Sequence, residues 1–169
     1  MRNLPRAGLA TAALVFVADQ LTKWFVTERL NLDEALTYDG VVAVTSFFNL
    51  RFVENRGISL GLLQADGSVA RWLLVLLTAA IAAGVGVWMA RERNRADQTA
   101  LGLVLGGALG NILDRARFGY VVDFADLHFG EWRPFLVFNV ADAAISIGVV
   151  ILLARALFAK AEQTEKANA

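Results

Sequence analysis

Cysteine is absent from the 169-residue sequence, and histidine occurs only once, at His128. The first absence excludes disulfide bonds, thiolate nucleophiles and cysteine metal sites. The second excludes zinc motifs that need two or more histidines. An excess of one charge is also missing, because 16 basic residues balance 16 acidic ones. Since nucleic-acid-binding domains usually carry a clustered basic surface, we expect no nucleic-acid partner.

Apolar residues are abundant in this chain. They make up 57% of the sequence, and the mean hydropathy is +0.52. Soluble domains contain roughly 45–50% apolar residues, so the composition indicates a membrane protein. We predict a single integral membrane domain over residues 1–160, followed by a polar C-terminal tail over residues 161–169.

Long stretches without charge are candidates for membrane-spanning helices, which need about 20 mostly apolar residues. Residues 72–90 carry no charge, whereas the charge-free run at 98–113 is only 16 residues long. An apolar run near the N-terminus resembles a signal peptide, but Phe16 stands where cleavage requires a small residue. We therefore predict that the first span is not cleaved and that the chain forms an all-α four-transmembrane-helix bundle. Its spans should lie near residues 7–28, 70–90, 98–115 and 137–158.

The distribution of basic residues predicts the orientation in the membrane. Arg2 and Arg6 precede the first span, residues 91–98 (RERNRADQ) link the second and third, and Arg155 and Lys160 follow the fourth. Positive charge marks the cytoplasmic side, so both termini should be cytoplasmic and the two long connections outside. Seven arginines nevertheless fall on the outer side: Arg29, Arg51, Arg56, Arg71, Arg115, Arg117 and Arg133.

The outer connections contain patterns typical of β-strands. The first, residues 29–69, includes a segment rich in β-branched and aromatic residues at 41–63, in which Phe48, Leu50 and Phe52 alternate with other residues. This period of two predicts a small extracytoplasmic sheet or hairpin resting on the membrane surface. In the second connection, YVVDF at 120–124 is a short strand-like piece.

Acidic residues gather near the predicted outer ends of the spans. Asp114, Asp123 and Asp142 should lie near one membrane plane, and ionisable groups at membrane depth are usually functional. Two carboxylates that lie close together share a proton. Such a pair can hydrolyse a bond by acid–base catalysis without a metal. We assign Asp142, at the positive start of a helix, as the initial base and Asp123 as the initial acid.

The same residues also have structural interpretations. Asp142 would satisfy amides in the first turn of its helix, and Asp123 would be an ordinary loop carboxylate. Asp19 and Lys23, one helical turn apart, favour an ion pair within the membrane. The segment DFADLH at 123–128 offers a weak set of metal ligands. For the whole protein, the alternatives are a small proton-coupled membrane transporter or chaperone, and a structural scaffold subunit.

Five short motifs occur in a characteristic order along the chain: DQLTK at 19–23, ENRGIS at 54–59, GGALGNILDR at 106–115, VVDF at 121–124 and FNVAD at 138–142. In this set the sequence resembles the lipoprotein signal peptidases, the bacterial signal peptidase II family. The resemblance covers nearly the whole chain. One departure is Leu60, where the family pattern leads us to expect an aromatic residue.

The resemblance implies an intramembrane aspartyl endopeptidase of the bacterial inner membrane, with its active site at the outer face. Such an enzyme cleaves prolipoproteins just before a diacylglyceryl-modified cysteine. We expect no cofactor or metal, a monomer surrounded by membrane lipid, and inhibition by globomycin-type cyclic peptides. Asp123 and Asp142 would be catalytic. Substrate-binding roles would fall to Asn55, Gly57, Asn111, Arg115, Asn139 and Ala141, and supporting roles to Asp19, Lys23 and Asp114.

Overall fold

Four long helices account for most of the structure, a computed structural model that describes residues 4–32, 41–57 and 68–167. Leu60, Ser59 and the rest of the first outer connection between 58 and 67 lie outside the described residues. In chain order the helices are α1 at Arg6–Trp24, which a π-helical turn at Phe25–Arg29 extends, α2 at Ser68–Arg91, α3 at Arg95–Phe118 and α4 at Val140–Ala167.

Three of these helices are long and apolar enough to cross a membrane, at residues 6–29, 68–91 and 140–158. Helix α3 differs because it lies in the middle of the bundle and packs against α1, α2 and α4. A Cβ atom added at Gly102 or Gly106 would collide with the backbone of α1, and one at Gly107 with the backbone of α4. Small residues allow this close approach of membrane helices. The prediction of a membrane protein is confirmed, whereas the number of spans, four, stays a prediction.

Helix α2 shows most clearly which surface lipid would cover. Its large apolar side chains point outward, with Leu73, Leu76 and Leu77 each at least 60% exposed. A continuous apolar exterior of this kind is unusual for a soluble monomer. We infer that acyl chains cover this surface.

A three-stranded antiparallel sheet lies at one end of the bundle. Its strands are β1 at Val41–Thr45, β2 at Phe48–Asn55 and β3 at Val121–Leu127, in the order β1-β2-β3. The sheet predicted for the first outer connection is present, but it is not confined to that connection. The strand-like piece of the second connection joins it, and Val53 of β2 pairs with Asp123 of β3. The fold is therefore mainly helical with a small sheet that draws strands from both outer connections. The alternation within one segment did not predict this, because it does not reveal which distant strands pair.

The sheet is fixed to the bundle through a small apolar core. Val26, from the π-helical turn after α1, packs with Leu32, Phe124 and Ala125. This contact holds β3, and with it Asp123, against the end of α1. The position of Asp123 therefore depends on residues that are distant in sequence.

Helix α4 begins at Val140 and continues to Ala167, through most of the segment predicted as a polar tail. Alanine, glutamate, glutamine and lysine are strong helix formers, which explains why the helix outlasts the apolar run. In the middle of α4, Arg155 donates to Asp97 in the first turn of α3. The pair joins the start of α3 to the middle of α4, far from the sheet.

Candidate active site

Helix α4 begins with a reciprocal cap that fixes Asp142. The side-chain Oδ1 of Asn139 accepts a hydrogen bond from the Asp142 backbone N–H at 2.9 Å. Asp142 Oδ2 in turn accepts from the Asn139 backbone N–H at 3.3 Å. This is the arrangement of a capping box, with an acidic residue three positions after the cap. Asp142 thus satisfies the amide of the cap residue Asn139, and Asn139 satisfies an amide in the first turn of α4. The structural interpretation of Asp142 is met for this one amide.

Asn139 also connects this cap to the second carboxylate. Its Nδ2 donates to Asp123 Oδ1 at 2.7 Å, and Asn139 itself is 1% exposed. Asn111 of α3 holds the other partner, since its Nδ2 donates to Asp142 Oδ1 at 2.8 Å. One buried asparagine therefore contacts both carboxylates and sets their relative placement.

The second oxygen of Asp123 is held from β2. Asn55 Nδ2 donates to Asp123 Oδ2 at 2.9 Å, and Asn55 Oδ1 accepts from the Gly57 backbone N–H at 2.9 Å. Gly57 has a φ of +87°, and a Cβ atom there would lie 2.6 Å from Leu74 Cδ2. The turn after β2 therefore requires glycine, both for its backbone conformation and for space.

The environment of Asp123 favours its neutral form. Burial raises the pKa of Asp123 from 3.8 to about 6, and the negative charge of Asp142 acts in the same direction. Hydrogen bonds from Asn55 and Asn139 oppose this shift without cancelling it. Asp123 therefore keeps its proton to a higher pH than an ordinary aspartate, which suits it to the role of a proton donor.

The raised pKa predicts how stability depends on pH. Between pH 3.8 and about 6 the folded protein keeps a proton on Asp123 that the unfolded chain releases. The contribution of Asp123 to the free energy of unfolding should therefore fall as the pH rises through this window. Thermal unfolding in detergent at several pH values checks this, and Asp123→Asn should have a flatter profile than the wild type. Equal slopes for the two proteins would contradict the assignment.

Beneath the two aspartates lies a buried ionic network built around Lys23. Its ammonium Nζ lies 2.9 Å from Asp19 Oδ2, 2.7 Å from Asp114 Oδ2 and 3.1 Å from Asn111 Oδ1. The side chains of the three charged residues are at most 5% exposed. Buried charges persist only when they are paired and hydrogen-bonded, a condition that this network meets. Asp114 is thus paired with Lys23.

The network reaches the two aspartates through backbone amides. Asp19 Oδ1 accepts from the Ala141 N–H at 3.0 Å, and Asp114 Oδ2 accepts from the Val122 N–H at 3.2 Å. Ala141 and Val122 are the residues immediately before Asp142 and Asp123. Ala141 is fully buried, so its amide rather than its side chain connects it to the site.

Gln20 is a member of this network that the sequence analysis did not single out. Its Nε2 donates to Asp19 Oδ2 at 3.1 Å and to Asp114 Oδ1 at 3.0 Å, which joins the two carboxylates directly. The available signal was a polar side chain at membrane depth, next to Asp19. Its specific role needed the position of α3, which the sequence does not reveal.

Arg115 lies above the site with incomplete hydrogen bonding. No described residue accepts a hydrogen bond from its buried Nε, and its Nη2 would be 3.6 Å from a Cβ atom at Gly57. The guanidinium therefore adjoins the turn that positions Asn55. A buried donor without a partner costs free energy unless a ligand satisfies it, as expected for a group that contacts substrate.

A cleft of about 390 Å³ opens beside Asp123. The end of β2 and the following turn form one wall, and the segment before α4 forms the other. The lining residues are Val53, Glu54, Asn55, Arg56, Gly57, Asp123, Leu136 and Val137. A pocket of this size that is open on one side and combines apolar residues with polar groups fits an extended peptide.

Asp126 and His128, the remaining members of the segment DFADLH, do not join Asp123. The buried Asp126 carboxylate is 3.2 Å from Arg133 Nε and 3.8 Å from Arg51 Nη1. Within residues 4–32, 41–57 and 68–167 no group of three metal-binding side chains occurs. Two arginines around one carboxylate do not fit a metal site, so the structure does not support the metal interpretation.

The fold and the site together define a class of protein: an apolar helical membrane protein that holds two hydrogen-bonded carboxylates beside an open cleft. Comparison with known proteins is more specific. The family model described as signal peptidase (SPase) II matches residues 11–158. The chain therefore belongs to the signal peptidase II family, whose members are proteases.

Relatives and solved structures agree with this assignment. The chain is 56% identical to the lipoprotein signal peptidase of Sphingopyxis alaskensis, over 90% of this chain and 86% of that protein. It is 52% identical to that of Rhizorhabdus wittichii, over 99% and 95%. Two solved bacterial membrane enzymes match with TM-scores of 0.74 and 0.73, at 25% and 28% identity. They cover 92% and 89% of this chain, and the matches span 90% and 92% of theirs.

Proposed function

We propose that this protein is an intramembrane aspartyl endopeptidase that cleaves diacylglyceryl-modified prolipoproteins just before the lipidated cysteine. The observation that carries the proposal is the pair of hydrogen bonds through which Asn139 joins Asp123 and Asp142. Family membership supplies the substrate class. The proposal includes four spans in the bacterial inner membrane, cytoplasmic termini and a site at the outer face.

In the proposed reaction the two aspartates have different protonation states. Ionised Asp142 takes a proton from a water molecule whose oxygen bonds to the scissile carbonyl carbon. Neutral Asp123 donates its proton to the carbonyl oxygen, which gives a neutral tetrahedral intermediate. When this intermediate collapses, the C–N bond breaks, the amine leaves with a proton from Asp142, and Asp123 regains its own. Water and peptide bond become one acid and one amine, and both carboxyl groups return to their starting states.

Asn55 and Arg115 are placed to position the substrate. Asn55 holds Asp123 and lines the cleft, so it orients the acid toward whatever the cleft contains. The unpartnered Nε of Arg115 is available to a carbonyl oxygen of the bound peptide. Each donor that contacts the peptide backbone reduces its freedom near the reacting carbon, which favours reaction.

The location of the carboxylates favours a hydrolase over a proton-coupled transporter. A relay needs ionisable groups spread through the depth of the bilayer. Asp19 is one helical turn from Lys23 and accepts from Ala141 N–H, so it belongs to the same cluster as Asp142. The acidic groups therefore gather at one level, where a site at the outer face would meet water.

A direct assay tests the proposal. Purified protein in detergent should cleave a diacylglyceryl-modified prolipoprotein and leave the unmodified form intact. Cleavage should persist with a chelator, because the dyad itself activates the water. Cleavage of both forms at equal rates would contradict the substrate assignment, and loss that a divalent ion reverses would contradict the dyad mechanism. By resemblance to the family, a globomycin-type peptide should occupy the same cleft and block the reaction of a monomeric enzyme.

A further inference from the structure

Two arginines surround the end of α3 that adjoins the sheet. Arg71, in the first turn of α2, donates from Nη2 to the Ala116 carbonyl, and its guanidinium lies 5.2 Å from the centre of the Trp72 ring. Arg117 directly follows Ala116, and its guanidinium lies 4.9 Å from the centre of the Phe118 ring. Two cations on different helices therefore adjoin the same short segment, residues 116–118.

Neither of these arginines forms an ion pair with a carboxylate in the part of the chain that the structure describes. Other arginines do, since Arg133 pairs with Asp126 and Arg155 with Asp97. Among the described residues, Arg71 Nε also has no hydrogen-bond partner. The negative end of the α3 dipole offsets only part of two full charges. Within the described part of the chain, the two arginines therefore carry positive charge that no carboxylate balances.

The site lies where the apolar surface of α2 begins. Leu73, Leu76 and Leu77 are at least 60% exposed along the helix below it, and Val69 is 70% exposed above. The rings of Trp72 and Phe118 are 48% and 46% exposed. Exposed aromatic residues beside an apolar helix mark the level of lipid headgroups. Arg71 and Arg117 would therefore stand at headgroup depth, next to a surface that acyl chains cover.

We propose that Arg71 and Arg117 bind the phosphate of an anionic phospholipid whose acyl chains lie along α2. The guanidinium group matches phosphate oxygens in a two-pronged geometry, and it does so better than the ammonium of lysine. Trp72 and Phe118 hold the two guanidinium groups in place. Arg117 is exposed, and Arg71 offers the donors that do not bond to Ala116.

The occupant is a phospholipid and not the proposed substrate. A diacylglyceryl-modified cysteine carries two acyl chains but no phosphate, so it lacks the group that two arginines would recognise. The site and the Asp123–Asp142 pair therefore recognise different chemistry. Lipid binding can be tested in protein that carries no catalytic change.

The test is a titration of purified protein in a neutral detergent. Phosphatidylglycerol, a diacylglycerol with the same chains, and inorganic phosphate are added separately, and lipid binding is read by native mass spectrometry and by the shift in unfolding temperature. Phosphatidylglycerol should bind and stabilise the wild type most strongly. Because each basic residue near a charged lipid surface contributes modestly, Arg71→Gln/Arg117→Gln should weaken this binding roughly 30-fold.

Two single variants, Arg117→Gln and the control Arg93→Gln, separate the loss of lipid binding from a loss of folding. Arg71→Gln also removes the hydrogen bond to Ala116. Arg117 is exposed and forms no side-chain hydrogen bond or ion pair with the described residues, so Arg117→Gln should fold normally and still bind less lipid. Arg93→Gln, an exposed change of equal charge at the opposite end of α2, should bind like the wild type. Equal stabilisation by the diacylglycerol, equally strong binding of inorganic phosphate, or an equal loss in Arg93→Gln would each overturn the proposal.

Discussion

Asp123→Asn and Asp142→Asn should each abolish cleavage of a diacylglyceryl-modified prolipoprotein while the protein remains folded. Asparagine has nearly the same shape as aspartate but only one acceptor oxygen. Each variant therefore loses one of the two hydrogen bonds that its carboxylate accepts, from Asn55 and Asn139 at residue 123 or from Asn111 and Asn139 at residue 142. This loss costs about 1–3 kcal/mol, which should leave the protein folded. What disappears is the group that accepts or donates a proton. Loss of one acid–base group costs on the order of 100- to 10,000-fold in rate. Because both protons move through this pair, we expect the upper end of that range or more.

The chain offers a matched control for this experiment. Asp126→Asn makes the same change on the same strand, but the Asp126 carboxylate pairs with Arg133 and does not line the cleft. It should leave the cleavage rate close to that of the wild type. The rate is measured as single-turnover cleavage by purified protein, with far-UV circular dichroism to verify folding. A near wild-type rate for Asp142→Asn would disprove the dyad.

Lys23→Met should produce the largest loss of stability. The change removes the one cation that lies between Asp19 and Asp114, and it leaves two buried carboxylates without a counter-charge. Breaking a buried pair from one side costs about 3–5 kcal/mol. Activity should fall as well, because Asp19 and Asp114 hold the amides before Asp142 and Asp123.

Equilibrium unfolding in detergent measures this effect. Leu21→Met places methionine on the exposed side of the same helix and should change the free energy of unfolding by less than roughly 0.5 kcal/mol. If Lys23→Met were as stable as Leu21→Met, the ammonium could not be the centre of the network. If Lys23→Met were unstable but cleaved at full rate under folding conditions, the network would support the fold without positioning the dyad.

The sequence was sufficient to predict the features that depend on composition and local pattern. The apolar runs that became α1, α2 and α4 were clear because lipid-facing helices need little polar surface. Helix α3 gave a weaker signal, since its glycines face neighbouring helices instead of lipid. The alternation at Phe48, Leu50 and Phe52 correctly predicted a strand.

The contacts that build the site were beyond sequence reasoning. The reciprocal cap of Asn139 and Asp142 could be anticipated, because residues three positions apart at the start of a helix lie close together. The bond from Asn139 to Asp123 could not, because it depends on how β3 pairs with β2. The residue type does not indicate which group a backbone amide such as that of Ala141 bonds to, so this contribution is visible only in the structure.

The hydrogen bond between Asp19 and the Ala141 amide spans 122 positions of the chain. During synthesis the ribosome releases the N-terminal segment long before the last helix emerges. A nascent chain that has inserted only its first three helices carries Asp123 but lacks both Asn139 and Asp142. The proposed protease therefore remains inert until its final segment is in place, and unfinished copies cannot cut neighbouring proteins in the membrane.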